Sequence, residues 1–152
     1  MTVDQLNSAL QAEYLHLQKT IEDFDGRALT IKAWSVTFAL AAIAGAFASH
    51  SRFPLLVAAV SAVIFWLLEI QWKLFQVSYY ERSERIEAHF RGEVTVEYPF
   101  QIGASWYAAW RRKRSAEFPR VASWPHVAQP HALVILMGAL LYLLAEFHVF
   151  EL

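Results

Sequence analysis

The sequence predicts an all-α membrane protein with three transmembrane helices, an amphipathic helix ahead of the first and a long helical extension after the second. Three observations carry that prediction. The chain is 57% apolar and 18% charged over 152 residues, a balance rich in hydrocarbon for a water-soluble domain. Three runs approach the roughly 20 residues needed to cross a hydrocarbon core about 30 Å thick. The basic residues lie almost wholly on one side of those runs.

The first run is Ala33 to Ser49, AWSVTFALAAIAGAFAS, which carries no charge. Lys32 at its start snorkels to the interface and lengthens it. The second begins near Phe53 and reaches membrane length near Trp72, and the third runs from His131 to Phe150. Helices buried in a soluble bundle keep a polar stripe, and these runs have almost none. Trp34, Trp72 and Trp124 sit where interfacial aromatics belong. The expected organisation is an amphipathic helix over 1–30, a transmembrane hairpin over 31–72, a helical stalk with a basic, aromatic segment over 73–130, and a third span over 131–152.

Orientation follows from Lys and Arg. Of 13 such residues, only Arg52 falls in the turn between the first two runs, and none follows the third. The expected topology places the N-terminus in the cytoplasm and the C-terminus outside, in a bacterial inner membrane. The first thirty residues carry Asp4, Glu13, Glu22, Asp23 and Asp25, so no cleavable signal peptide is expected there. The absence of Cys excludes disulfides, thiolate metal sites and cysteine nucleophiles.

Leu10, Tyr14, Leu17, Ile21 and Phe24, preceded by Leu6, repeat at spacings of three and four. They form a cytoplasmic contact seam on an amphipathic helix, packing on the chain's own stalk or serving self-association or a soluble partner. Gly26 is expected to bend the approach to the first span. From Leu55 to Arg91 there is neither Pro nor Gly, so the second span should continue as one helix of about 37 residues, roughly 55 Å long. Glu69–Lys73, Glu81–Arg85 and Glu87–Arg91 place acid before base at the favourable i,i+4 spacing, and Gly92 ends the helix.

Beyond Gly92, Val94 to Tyr98 (VTVEY) is strand-like and able to pair with another chain. Ile102, Trp106 and Trp110 share a helical face and run into Arg111, Arg112, Lys113 and Arg114. Aromatics beside a basic cluster suit contact with anionic lipid, and the cluster also serves to fix topology. Four basic residues beside a membrane need no nucleic acid to explain them, and none is expected as partner. Pro119, Pro125 and Pro130 are expected to keep the approach to the third span irregular.

Glu69, inside the second span, is the carboxylate most worth attention, because an ionisable group in lipid is a functional candidate. Glu146 and His148 near the outer end of the third span are read as interfacial. His126 and His131 lack a third ligand at metal spacing. Arg82 and His89 match a loose Arg–His spacing found in RNA-cleaving domains, without the surrounding bundle. No phosphate loop, nucleophile elbow or zinc-protease motif occurs, so neither enzymatic activity nor a cofactor is expected. In the first span Ala41, Gly45 and Ser49, with Ala42 and Ala46, form small-xxx-small pairs that let helices approach closely, within the hairpin or between subunits.

The stretches YLHLQKTIEDFDGRALTIKAW before the first span and WKLFQVSYYERSERIEAHF after the second, covering Tyr14 to Phe90, resemble in layout the SLATT-type small membrane effectors of bacteria. That resemblance implies a homo-oligomer that breaches the inner membrane during antiphage defence; the third span is an addition to the layout. The leading expectation is a non-enzymatic, homo-oligomeric effector that forms or gates a pore, with Ala41, Gly45, Ser49 and Glu69 at the subunit interface and a signal ligand or soluble partner on the cytoplasmic parts. A membrane adaptor and a small ion-coupled transporter using Glu69 are the alternatives.

Overall fold

A computed structural model describes residues 1–147, all of them helical or irregular, with five helices and no strand among them. They are α1 (Val3–Ser49), α2 (Phe53–Phe90), α3 (Ile102–Ala116), α4 (Phe118–Ala122) and α5 (Pro125–Glu146). Three of these, α1, α2 and α5, are long and apolar enough to cross a membrane. The chain divides into two units, one of Met1–Arg27 with Trp72–Phe118, the other of Ala28–Gln71 with the chain from Pro119 onward.

Local chemistry sets the helix ends. Thr2 and Gln5 form a reciprocal capping box, each side-chain oxygen accepting the other residue's backbone N–H, at 2.9 and 3.3 Å. Asp4 adds a negative charge to the first turn, where the helix dipole favours it. Both long helices end in the same way. Gly92 takes the left-handed conformation after α2, with Gly92 N–H bonded to His89 C=O and Glu93 N–H to Ala88 C=O. His50 does the same after α1 at φ 51°, with Ser51 N–H reaching Ala46 C=O at 3.1 Å. A histidine in that conformation carries strain that glycine would not.

Three stretches singled out by the sequence take the following form. α1 is continuous through Gly26; one glycine costs a helix about 1 kcal/mol, too little to break one this long. The third apolar helix begins at Pro125 rather than His131 and is described only to Glu146. Proline is at home in the first helical turn because its missing N–H would have had no partner there, and Pro130 forfeits only the bond to the carbonyl four residues back. Val94–Tyr98, too short to build a sheet alone, pairs with no strand among the described residues.

In the first unit, Leu10 and Leu17 of α1 are wholly buried against Ile86 of α2 and Val96 of the following segment. Leu6, Tyr14, Tyr79 and Ile102 pack around them. Ile21 is buried and Phe24 is half-buried, its ring 4.9 Å from Trp72 and 5.7 Å from Tyr79. The spacing of three and four thus finds its complement on the chain's own second helix.

The second unit inverts the usual distribution of size. Its interior is made of small residues, Ala39, Ala58, Ala62 and Val134, with Ala42 and Ile135 beside them. Leu55 and Ile70 are buried with them, and most of the other large side chains face outward, among them Leu40, Leu56, Leu67, Leu133, Leu136 and Leu140. In water such an arrangement exposes far more contiguous apolar surface than a monomer tolerates. In lipid it is the expected one, because helices there gain by close approach of small residues rather than by hiding large ones. The closest approach is at Gly138, where a Cβ would lie 3.1 Å from the Leu55 carbonyl oxygen and 3.3 Å from Ala59.

This geometry separates two glycines that look alike in sequence. A side chain added at Gly45 meets nothing within 4 Å, while one at Gly138 drives α5 from α2. Gly138→Leu should therefore lower stability by about 1–3 kcal/mol through overpacking, and Gly45→Leu should leave the folded monomer unchanged. Thermal unfolding in detergent, followed by tryptophan fluorescence, checks both; equal losses at the two positions would contradict the packing described.

Candidate functional site

The most polar feature of the second unit lies between its three long helices. α1 contributes Lys32 and Ser35, one helical turn apart; α2 contributes Glu69; α5 contributes His131, one turn beyond Val127 on its inner face. Glu69 and His131 have no exposed surface, and Ser35 is almost wholly buried. Lys32 Nζ stands 2.7 Å from Glu69 Oε1. His131 Nε2 stands 2.9 Å from Glu69 Oε2, and His131 Nδ1 is 3.0 Å from Ser35 Oγ.

The partners assign the protons. An ionised carboxylate only accepts, so Nε2 carries the hydrogen that His131 donates to Glu69. The neutral ring then accepts from the Ser35 hydroxyl at Nδ1. Lys32 balances Glu69, and the cluster carries no net charge while the imidazole is neutral. An unpaired carboxylate would be prohibitive in this setting; a paired and hydrogen-bonded one is sustainable. Serine, histidine and a carboxylate in series also suggest acyl-transfer chemistry, but Ser35 Oγ faces the interior and Lys32 already engages the carboxylate. The arrangement holds three helices together rather than presenting a nucleophile.

Sequence reasoning found Glu69 and gave it the wrong partner. Lys73 turns instead to Asp25 and Gln76, and the Gln76 amide donates to the Ile21 carbonyl at 2.8 Å. The i,i+4 preference is worth only a few tenths of a kcal/mol, so tertiary partners override it. Lys32 and His131 were within reach of the same reasoning, because each is a polar residue at the end of an apolar run. His126 is exposed and stacks on Trp124 at 5.4 Å, away from His131's role. Among the described residues no three His, Cys, Asp or Glu side chains gather as a metal site. Glu146 pairs with Arg52 at 2.8 Å, both partly exposed; His148 lies outside the described residues.

The small residues of α1 divide between two faces. Ser35, Ala39 and Ala46 are buried within the unit and Ala42 is half-buried. Ala41 and Ser49 are exposed, Gly45 is open, and the Ser49 hydroxyl donates to the Gly45 carbonyl at 2.7 Å. Beside this outer face lies an apolar groove of about 390 Å³ formed by Trp34, Thr37, Phe38, Ala41 and Phe65.

The first unit holds a second buried ion pair. Arg82 grips Glu13 through Nε at 2.9 Å and Nη2 at 3.0 Å, and Nη2 also donates to the Tyr98 carbonyl. Glu13 Oε2 accepts the Phe100 N–H at 2.7 Å. His89 bonds Asn7 at 3.1 Å and accepts the Val96 N–H at 3.2 Å. Arg82 and His89 thus both fasten the irregular segment after α2. Within the seam, the Tyr14 hydroxyl donates to Glu87 at 3.0 Å, and that bond pushes its pKa above the ordinary tyrosine value.

On α3, Trp106 and Trp110 stack at 5.8 Å and lie half-buried beside Phe75 of α2, whose carbonyl accepts the Trp106 indole N–H at 3.0 Å. Arg112 pairs with Glu81, and Lys113 lies 3.8 Å from the same carboxylate. Arg111 and Arg114 are exposed above Tyr107 and Trp110, with their guanidinium carbons 5.7 and 4.9 Å from the ring centres. The aromatic half of the motif therefore holds α3 to α2, and Arg111 and Arg114 remain the outward-facing cations.

Two outcomes follow. Glu69→Leu leaves Lys32 without its countercharge and should cost about 3–5 kcal/mol; the double variant Lys32→Met/Glu69→Leu should recover part of that loss in an unfolding cycle, whereas additive losses would deny the pairing. Arg82→Leu should free residues 94–100, seen as new cleavage there under limited proteolysis while the helical content stays constant.

No protein-family model matches the chain, and no curated protein or solved structure matches it either.

Proposed function

We propose that the chain is a non-enzymatic, multi-pass membrane effector that works as a homo-oligomer and forms or gates a passage through a bacterial inner membrane. The observation that carries this reading is the second small-residue face of α1. One such face is consumed within the unit, and the other, Ala41, Gly45 and Ser49, is left open beside an apolar groove. Small residues facing outward leave van der Waals contact unmade in lipid, and a second helix recovers it. The excess of Lys and Arg on one side of the apolar runs supports an N-terminus in the cytoplasm and a C-terminus outside. The layout shared with SLATT-type effectors suggests the setting, breach of the membrane during antiphage defence.

Glu69 is ion-paired with Lys32, hydrogen-bonded to His131 and without exposed surface, which favours a latch over an ion-coupled carrier. The seam of Leu10, Leu17 and Ile21 is spent inside the first unit, which takes from the adaptor reading the surface it relied on.

The test is the mass of the protein in mild detergent together with dye release from vesicles of anionic lipid. The unaltered chain should be oligomeric and release dye. Ala41→Leu/Gly45→Leu should shift it to monomer and reduce release at least tenfold while its unfolding temperature holds. A strictly monomeric chain that never permeabilises vesicles would sink the proposal.

A further inference from the structure

The segment between α2 and α3 satisfies its backbone on one edge only. From Thr95 to Tyr98 it has no helix, turn or bend. Val96 N–H donates to His89 Nδ1, Tyr98 C=O accepts from Arg82 Nη2, and Phe100 N–H donates to Glu13 Oε2. Val96 and Tyr98, two residues apart, carry two of these anchors, and Phe100, at φ 60° beyond the bend at Pro99, carries the third. A period of two is that of an extended chain, whose alternate residues turn their N–H and C=O groups to opposite edges. The other edge carries the backbone groups of Thr95 and Glu97, and none of the four has a partner among the described residues. Val96 is 2% exposed and pins the segment from beneath. Side chains of α1 and α2 thus hold one strand straight where a sheet would ordinarily do so, and a straight, unpaired edge is a template for another strand.

We infer that this edge pairs with the same edge of a second copy of the chain, antiparallel about a two-fold axis at Val96. The inference rests on the homo-oligomer reading above and names a contact within it. In this register Thr95 of one copy faces Glu97 of the other, twice over, and each facing pair exchanges two N–H···O bonds. Every free group on both edges is then used and none is left over. The flanking pairs are Val94 against Tyr98, an aromatic and a β-branched residue, which is a favourable cross-strand pairing. Both are available, at 43% and 68% exposed. No like charges face each other directly, because each Glu97 stands opposite a threonine. Beside the segment is a cleft of about 630 Å³ lined by Thr95, Glu97 and Tyr98 together with Glu81, Arg82 and Arg85. The complementarity of the segment to itself, in hydrogen-bonding groups and in side chains, favours a second copy over an unrelated peptide.

The absence of cysteine makes the register readable by cross-linking. Full-length Thr95→Cys and Glu97→Cys chains are expressed alone and together, and their membranes are mildly oxidised. Directly opposed residues lie about 5.5 Å apart at Cα, within disulfide reach, whereas like positions on the two copies are two residues out of register. The expected result is a covalent dimer from the co-expressed pair at least tenfold more abundant than from either variant alone. A single variant that cross-links as readily as the pair would overturn the register. No cross-link in a chain whose mass is oligomeric would overturn this contact and leave the oligomer standing. A monomeric mass would remove both.

Discussion

A carboxylate with no exposed surface, set among apolar helices, constrains everything near it. Glu69 cannot remain ionised there without a cation, and one cation does not satisfy both of its oxygens. Lys32 supplies the charge and His131 the second donor, so α1 and α5 must both come to α2 at the same level. Ser35 follows from His131, because a neutral imidazole that donates at one nitrogen must be satisfied at the other. A single acidic residue therefore specifies a three-helix meeting point that apolar packing alone would leave free to slide. Dispersion between small residues is nearly indifferent to register over a turn of helix; an ion pair with fixed donors is not.

Packing completes what the charges begin. The interior of this unit is rich in alanine, with Leu55 and Ile70 buried alongside, and most of its leucines face outward. Ala59 and Gly138 bring α2 and α5 to backbone contact, with the Leu55 carbonyl close to the glycine. Lipid offers large side chains as good a partner as any protein interior, so nothing draws them inward, and small residues earn their place by allowing close approach. The same logic applies outside the unit. A helix face of small residues is poorly matched to the irregular surface of acyl chains, and α1 carries one such face beyond the one it buries.

Much of this was legible in the sequence, and the failures have a common cause. The number and type of the long helices follow from apolar runs and from the absence of Pro and Gly between Leu55 and Arg91. The seam of Leu10, Leu17 and Ile21 announces itself by spacing, and Gly92 announces the end of α2. What was not legible was the choice among partners separated by tens of residues. Glu69 has a lysine at the favourable local spacing and bonds another, 37 positions earlier in the chain. Trp106 and Trp110 beside a basic cluster also pack on Phe75, 31 and 35 positions earlier, a contact their own spacing does not announce. His50 does the work expected of glycine at the end of α1, and nothing in the residue itself signals it. Local rules are worth tenths of a kcal/mol and yield wherever tertiary burial offers more.

The first unit shows what a buried ion pair can be for. Arg82 and Glu13 come from different helices and pair in a buried setting, which by itself gains little over apolar residues of the same shape. Their value lies in the groups they have left over. Arg82 has a donor to spare for Tyr98 C=O, and Glu13 has an acceptor to spare for Phe100 N–H; a leucine pair would offer neither. The residual valence of the ion pair, together with His89, organises a chain segment that has no secondary structure to organise it. The VTVEY sequence favours an extended backbone, and the anchors hold it so without occupying its outer edge. A segment kept extended, fastened on one side and bare on the other is better suited to contact than to connection, since a simple linker between two helices would need none of these bonds.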